Sequence, residues 1–291
     1  MVTGWIELLL QGVLLGGLYA LFGVGLSLVF GVMRLVNIAH GDLIVLMAYV
    51  GLLLTDKLGL GPFTALLVLI PLSCAFGFAL QAALFERILN AGPLAPLLVA
   101  FGLAVVIQNS LLVGFGADSQ KLTAGGIEVA SLSLGSGIDV GVLPLLTFAI
   151  AVITIGALQL LVYRSSFGRL LRAVSDDRQA ADLLGVNTRT IYRIAMAISM
   201  GVTAIAAIMM AMRANFAPSS GPTQLIFAFE AVVIGGLGNL WGTLAGGIIL
   251  GVAQIAGAQI DAAWQVLFGH LAFLGLLAVR PNGLLQRMAP E

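Results

Sequence analysis

Charge is nearly missing from this chain. Its 291 residues include 13 Lys and Arg and 13 Asp and Glu, 9% in all, with no net balance. A soluble domain carries about 25% charged residues, and a fold of this length needs a polar surface to stay dissolved. The scarcity excludes an ordinary soluble enzyme. The zero balance gives no basic surface for nucleic acid. Cysteine is limited to Cys74, inside an apolar run, so a disulfide framework is excluded. Histidine occurs only at His40 and His270, in different apolar runs, and with Cys74 isolated no metal-binding spacing exists. No G-x-x-x-x-G-K-S/T stretch is present, so the chain lacks that phosphate loop, and no H-E-x-x-H marks an intramembrane hydrolase. The start, MVTGWIELLLQG, lacks the basic stretch and cleavage-like site of a secretory signal and reads as a retained membrane helix.

What remains is apolar. Hydrophobic residues make up 60% of the chain, and the mean hydropathy is +1.11. The sequence predicts an all-α integral membrane protein, a single polytopic helical bundle over residues 1–291. A span needs roughly 20 apolar residues. Candidates are Leu8–Phe30, His40–Leu54, Pro62–Phe85, Pro96–Phe115, Val142–Tyr163, Thr190–Met212, Gln224–Gly236, Leu240–Ala258 and Trp264–Val279. The seventh is short and ends in Gly, as a half-span or re-entrant piece does, so the count is eight or nine.

Basic residues favour the cytoplasmic side. With the loop at residues 164–190 inside, Arg34, Arg87, Arg164, Arg169, Arg172, Arg178, Arg189, Arg193, Arg280 and Arg287 also fall inside, and only Lys57, Lys121 and Arg213 outside. An odd count then puts the N-terminus outside and the C-terminus inside. The outer loop, residues 116–141, is polar. Ile127, Val129, Leu132 and Leu134 flank a Gly-Ser-Gly turn at Gly135–Gly137, which predicts a short hairpin.

The inner loop is the most charged segment. Ser175 is expected to cap a short helix with Asp176 and Asp177 in its first turn. Ala180, Ala181, Leu183 and Leu184 form its apolar side, Gly185 is a natural stop, and Asn187 caps the next membrane helix. A basic helix of this size would lie among headgroups. Three acids, Asp176, Asp177 and Asp182, favour instead a knob that docks on a soluble partner.

Several polar residues sit within apolar runs. Asn37, His40 and Asp42 surround Gly41 where one helix gives way to the next. They either line a substrate path or cap helix ends, because free backbone at membrane depth is tolerated only inside protein or beside a cavity. Glu230 has no basic residue in its own run and must face the bundle interior, with Arg213 a conceivable partner. Gly238, Gly242 and Gly246, echoed by Gly12 and Gly16, form small faces for close helix packing, within the chain or against a second one. Met33-Arg34-Leu35-Val36-Asn37 after the first run and Met212-Arg213-Ala214-Asn215 after the sixth are similar. Their spans run in opposite senses, so the echo admits either an inverted repeat or chance.

The stretch LYALFGVGLSLVFGVMRLVNIAHGD (Leu18–Asp42) resembles the opening of branched-chain amino acid ABC-importer permeases of the smaller "H" type. Phe101-Gly102-Leu103 with Gln108-Asn109 resembles that family's fourth-span signature. Asp176-Asp177 through Ala181-Asp182-Leu183-Leu184-Gly185-Val186-Asn187 resembles its ATPase-coupling loop, and Gly235-Gly236-Leu237-Gly238, Gly242 and Arg280-Pro281-Asn282-Gly283-Leu284 resemble its closing blocks. The resemblance implies a permease subunit of the bacterial inner membrane, itself no enzyme and without cofactor. It implies two cytoplasmic ATPase subunits, a second and different permease chain, a periplasmic solute-binding protein and surrounding membrane lipid as partners. It adds Gln108 and Asn109 to Asn37, His40, Asp42 and Glu230 as a substrate path. Many members have Lys near Phe227 and a small residue at Glu230, and relatives also carry urea, amides and aromatic acids. The implied cargo is therefore a branched-chain amino acid or a related small amino acid, amide or carboxylate. From the residues alone, an ion-coupled secondary transporter using Asp42 and Glu230 is the alternative.

Overall fold

A computed structural model describes residues 2–88, 92, 94–133 and 139–285. Each of the nine apolar runs forms a helix. They are α1 (Val2–Met33), α2 (His40–Leu58), α3 (Pro62–Leu80), α5 (Leu94–Phe115), α6 (Val142–Arg164), α9 (Thr188–Arg213), α10 (Gly221–Gly235), α11 (Leu240–Ile260) and α12 (Trp264–Val279). α3 continues through a π-turn, Gln81–Phe85, into α4 (Glu86–Ile88). Six helices are long and apolar enough to cross a membrane. α10 has 15 residues and α12 has 16. α2 has 19, with His40, Asp42, Asp56 and Lys57 among them.

α1 is apolar all round, as a helix buried on every side must be. It packs against α6, α9, α10 and α11. Its closest neighbour is α11, and glycine makes that approach feasible. A side chain at Gly12 would run into the backbone of Val252, one at Gly16 into Ile248, and one at Gly251 into Gly12 and Gly16. Gly242 and Gly246 of α11 abut Gly235 and Ala231 of α10. The faces therefore meet within the chain. Gly238 is not on a helix: it lies in the turn before α11 with φ +80, against Gly31.

At one end of the bundle, strands β1 (Ser131–Ser133) and β2 (Asp139–Gly141) pair antiparallel, with Leu132 opposite Val140. This is the expected hairpin. Its turn at Gly135–Gly137 and Leu134 lie outside the described residues, as does Arg287. The same loop is tied down by Gln120, which exchanges backbone hydrogen bonds with Phe216 at 2.8 and 2.9 Å. Lys121 pairs with Glu128 at 2.7 Å. The Lys121 ammonium holds the Glu128 carboxyl below the usual carboxylate range. The clasp is thus charged at neutral pH and is lost as pH falls through that lowered value.

At the opposite end, the expected single helix is two. α7 (Ser166–Asp176) lies against α6, α1 and α9, burying Leu171 and Val174. α8 (Arg178–Leu183) follows at once. The cap is Asp177, whose carboxylate accepts from the N–H groups of Gln179 and Ala180 at 2.8 and 3.0 Å. Ser175 does not cap, because its hydroxyl donates to the Gly31 carbonyl of α1 at 2.5 Å. Asp176 ends α7 rather than opening the next helix. Gly185 has φ +82, which Gly adopts without steric cost. The Asn187 side chain accepts from Thr190 N–H at 3.1 Å and opens α9.

Candidate functional site

Two helices begin deep in the bundle. After Met33 the chain turns at Arg34, with φ +52, and runs back without helix to His40. His40 Nε2 donates to the carbonyl of Phe22 at 2.8 Å. Phe22 lies 11 residues before the end of α1, about 16 Å at 1.5 Å per residue. α2 therefore starts beside the interior of α1, about a third of the way back along its 32 residues. Ser199 of α9, which donates to Gly25 at 2.8 Å, sits at the same level. From there α9 runs about 21 Å further, to Arg213. The chain then turns back through residues 214–217 and a 3₁₀ turn, Pro218–Ser220, into α10.

The two helix starts cross backbone to backbone. A side chain at Gly41 would overlap the Gly221 carbonyl, and one at Gly221 would overlap the Asp42 carboxylate. Each of the two Met-Arg sequences thus precedes a turn back to the crossing. Gly41→Ala is expected to destabilise the protein by about 1–3 kcal/mol, the cost of overpacking a filled site. Gly102→Ala, where a new methyl meets nothing within 4 Å, is expected to be neutral or stabilising. Thermal unfolding of the two purified variants checks the contrast, and equal midpoints would contradict the close crossing.

The sequence-predicted path residues separate here. Asp42 is buried and accepts from Gln108 Nε2 of α5 at 2.8 Å. Asn37 makes a local turn, its side chain accepting from Ala39 N–H at 3.1 Å. Asn109 points away from this cluster and donates to its own helix at Val105, 2.8 Å, on the exposed face of α5. His40, Asp42 and Gln108 form the polar lining of the crossing. Asn37 shapes the turn leading to it.

Glu230 belongs to a second cluster. Its partner is His270 of α12, Nδ1 to Oε1 at 2.5 Å, and not Arg213. Arg213 lies near the hairpin end, beside a recess of about 230 Å³ that Glu7 and Asp139 also line. The pairing with His270 follows from rotation: α10 turns Glu230 inward, where α12 faces it. His270 stacks on Phe227, which packs on Tyr19 at 4.9 Å between ring centres. Tyr19 donates to Gln254 of α11 at 2.5 Å. Sequence reasoning missed Tyr19, Gln254 and His270 as a group. The available signal was that each is polar within an otherwise apolar run.

The third cluster is the α7–α8 end. Leu183 and Leu184 are 89% and 84% exposed, beside the buried Ala181. Asp182 accepts from Thr188 Oγ1 at 2.8 Å, fixing the knob to the start of α9. Glu86 pairs with Arg193 at 2.7 Å and Arg189 at 3.6 Å, which ties the end of α3–α4 to the same helix. This triad also went unread in the sequence.

Comparison with known proteins agrees with the architecture. Residues 8–278 match the family model described as branched-chain amino acid transport system / permease component. The chain is 28% identical to the high-affinity branched-chain amino acid transport system permease protein BraD of Pseudomonas aeruginosa, covering 99% of this chain and 97% of that one. It is 25% identical to the corresponding protein LivH of Escherichia coli, over 99% and 97% of the two chains. LivM of Escherichia coli is 26% identical over 94% of this chain and 69% of its own. A chain that matches such a model over nearly its whole length, with a multi-pass helical bundle to match, belongs to the branched-chain amino acid transport permease family.

Proposed function

We propose that this chain is the permease subunit of an ABC importer in a bacterial inner membrane. Its cargo is a branched-chain amino acid or a related small amino acid, amide or carboxylate. The observation that carries the reading is the Leu183–Leu184 knob. A six-residue helix capped by Asp177, stopped by Gly185 and held by Thr188 presents two leucines to solvent. Leucines held out in this way are suited to a groove on a partner. Two cytoplasmic ATPase chains supply that groove and the energy. A second permease completes the membrane unit, and the likeness to both LivH and LivM supports a different chain in that place. A periplasmic binding protein delivers cargo at the hairpin end.

In this reading nine helices enter the membrane, with α10 a partial span, and the two deep helix starts make the halves an inverted repeat. The crossing of α2 and α10 is the element that opens and closes. ATP-driven closure of the ATPases moves the knob, and α7 and α9 pass the motion to α1 and the crossing. Asp42 and Gln108 line the path there. Glu230 and His270 hold α10 to α12.

The test is uptake of labelled leucine into proteoliposomes containing the full complex, with ATP inside the inward-facing compartment and no ion gradient. ATP-dependent, uncoupler-insensitive uptake is expected. Uptake driven by an ion gradient without ATP would replace this reading with secondary transport.

Orientation is checked separately, in a Cys74→Ala background. Ser131→Cys is expected to react with an impermeant thiol reagent added from the periplasm. Ala180→Cys, exposed on α8, is expected to react only after the membrane is opened. Reversed labelling would invert the assignment of both docking ends.

A further inference from the structure

A cleft of about 260 Å³ lies between α1, α6 and α11 at the α7–α8 end. Ser27 and Gly31 line it from α1, Gln159 and Tyr163 from α6, and Asn239 and Trp241 from the start of α11. Ser27 is fully buried, and its hydroxyl has no hydrogen-bond partner. Ser73, Thr147, Ser199, Thr203 and Thr243, also buried on membrane helices, each donate to a carbonyl, whereas the Tyr49 hydroxyl shares the unpartnered state of Ser27. Gln159 is half-buried and makes no hydrogen bond to the described residues. Trp241 and Tyr163 are partly exposed at the rim. The Arg172 guanidinium lies 5.1 Å from the Tyr163 ring centre.

The groups without a partner here can all donate: the Ser27 hydroxyl, the Gln159 amide and the Trp241 indole N–H. Arg172, beside the cleft, gives one N–H to the Val162 carbonyl and keeps others to offer. Among the described residues no Asp or Glu lines the cleft. Its inventory suits an anionic acceptor. Its position decides which kind. Ser27 lies six residues before the end of α1, about 9 Å inside the helix end, and the cleft is rimmed by Trp and Tyr, which favour the boundary between hydrocarbon and headgroups. A ligand there has to present a charged group to the cleft and an apolar body to the membrane.

We propose that the cleft binds the phosphodiester headgroup of an acidic phospholipid from the leaflet on the α7–α8 side. Phosphate oxygens accept from Ser27, Gln159 and Trp241, Arg172 supplies the charge, and the acyl chains run along the apolar outer face of α6. Leu171 of α7 also lines the cleft, so a bound lipid abuts the segment leading to the knob.

The test uses the full complex purified in mild detergent, with bound lipid counted by native mass spectrometry. The probes are dioleoylphosphatidylglycerol, dioleoylphosphatidylcholine and glycerol 1-phosphate. The wild type is expected to retain one phosphatidylglycerol per chain in preference to phosphatidylcholine. Gln159→Leu and Trp241→Phe are each expected to weaken retention about tenfold, the loss of one hydrogen bond to a charged group. Leu67→Ala, on the exposed apolar face of α3 and away from the cleft, is expected to change nothing. Trp241→Phe keeps an aromatic side chain at the partly exposed rim while removing the N–H donor, so it reads the site even if Gln159→Leu fails to fold. Equal retention by all variants, or no preference between the two lipids, would overturn the proposal. So would glycerol 1-phosphate competing as well as the lipid, which would assign the cleft to a free phosphate ester.

Discussion

A chain carrying Leu183→Asp together with Leu184→Asp is expected to insert and fold as the wild type does and to lose the ATPase chains proposed to dock on it. Both side chains are almost wholly exposed, so their removal takes nothing from the core. Surface changes of this kind ordinarily shift stability by under about 0.5 kcal/mol. The docked state is different. Fully burying a leucine is worth about 1.5–3 kcal/mol. Two aspartates forfeit that twice and add the cost of desolvating charge. At 1.4 kcal/mol per tenfold, the affinity is expected to fall by at least about a hundredfold. Gly185→Val is expected to act in the same direction, because a β-branched residue is strained at φ +82 and misplaces the knob. The measurement is recovery of ATPase chains with tagged permease, alongside its thermal unfolding. Undiminished recovery from a well-folded double variant would remove the knob from the coupling scheme.

His270→Ala is expected to destabilise the bundle more than Glu230→Gln. The Glu230 carboxylate is buried, one oxygen bonded to His270 and the other without a partner. Removing the histidine leaves a buried acid with no hydrogen bond at all. Leaving a buried carboxyl without its one hydrogen bond costs about 1–3 kcal/mol, and more when it is charged. Gln at position 230 keeps the shape and an acceptor oxygen for His270 Nδ1–H, so its cost is that of weakening one hydrogen bond, about 1 kcal/mol. The double variant is expected to be less harmed than the sum of the two, since neither change then strands a charge. Thermal unfolding of the four proteins in one detergent checks this. If His270→Ala and Glu230→Gln cost the same, the interior does not hold a charge-bearing pair.

The placement of the apolar helices was legible because apolar length is a local property. Each of the nine apolar runs forms a helix, while α4, α7 and α8 lie outside those runs. Gly185 and Asn187 were legible for the same reason: a positive-φ stop and a side-chain cap are fixed by the next few residues. Ser175 was not. Its hydroxyl is taken by the Gly31 carbonyl, 144 residues away in sequence, and Asp177 then becomes the better cap. Glu230 was correctly expected to face inward. Its partner was out of reach because α10 and α12 are apolar on all sides, so no amphipathic stripe reports how either is rotated. The same holds for Tyr19 with Gln254. The crossing at Gly41 and Gly221 was visible only as an interruption and an echo. That two interruptions meet depends on how far each stretch turns back, which composition does not encode.

The crossing also sets an order of events during synthesis. Gly221 follows Gly41 by about 180 residues, so at ~5–20 residues per second it emerges roughly 10–35 s later. Through that interval the polar start of α2 is already in the membrane without its counterpart. Its bonds are drawn from segments made before Gly221: His40 reaches Phe22, 18 residues back, and Asp42 is met by Gln108, 66 residues on. The nascent first half can thus shelter its own polar groups, leaving a glycine-floored notch that the second half fills on arrival.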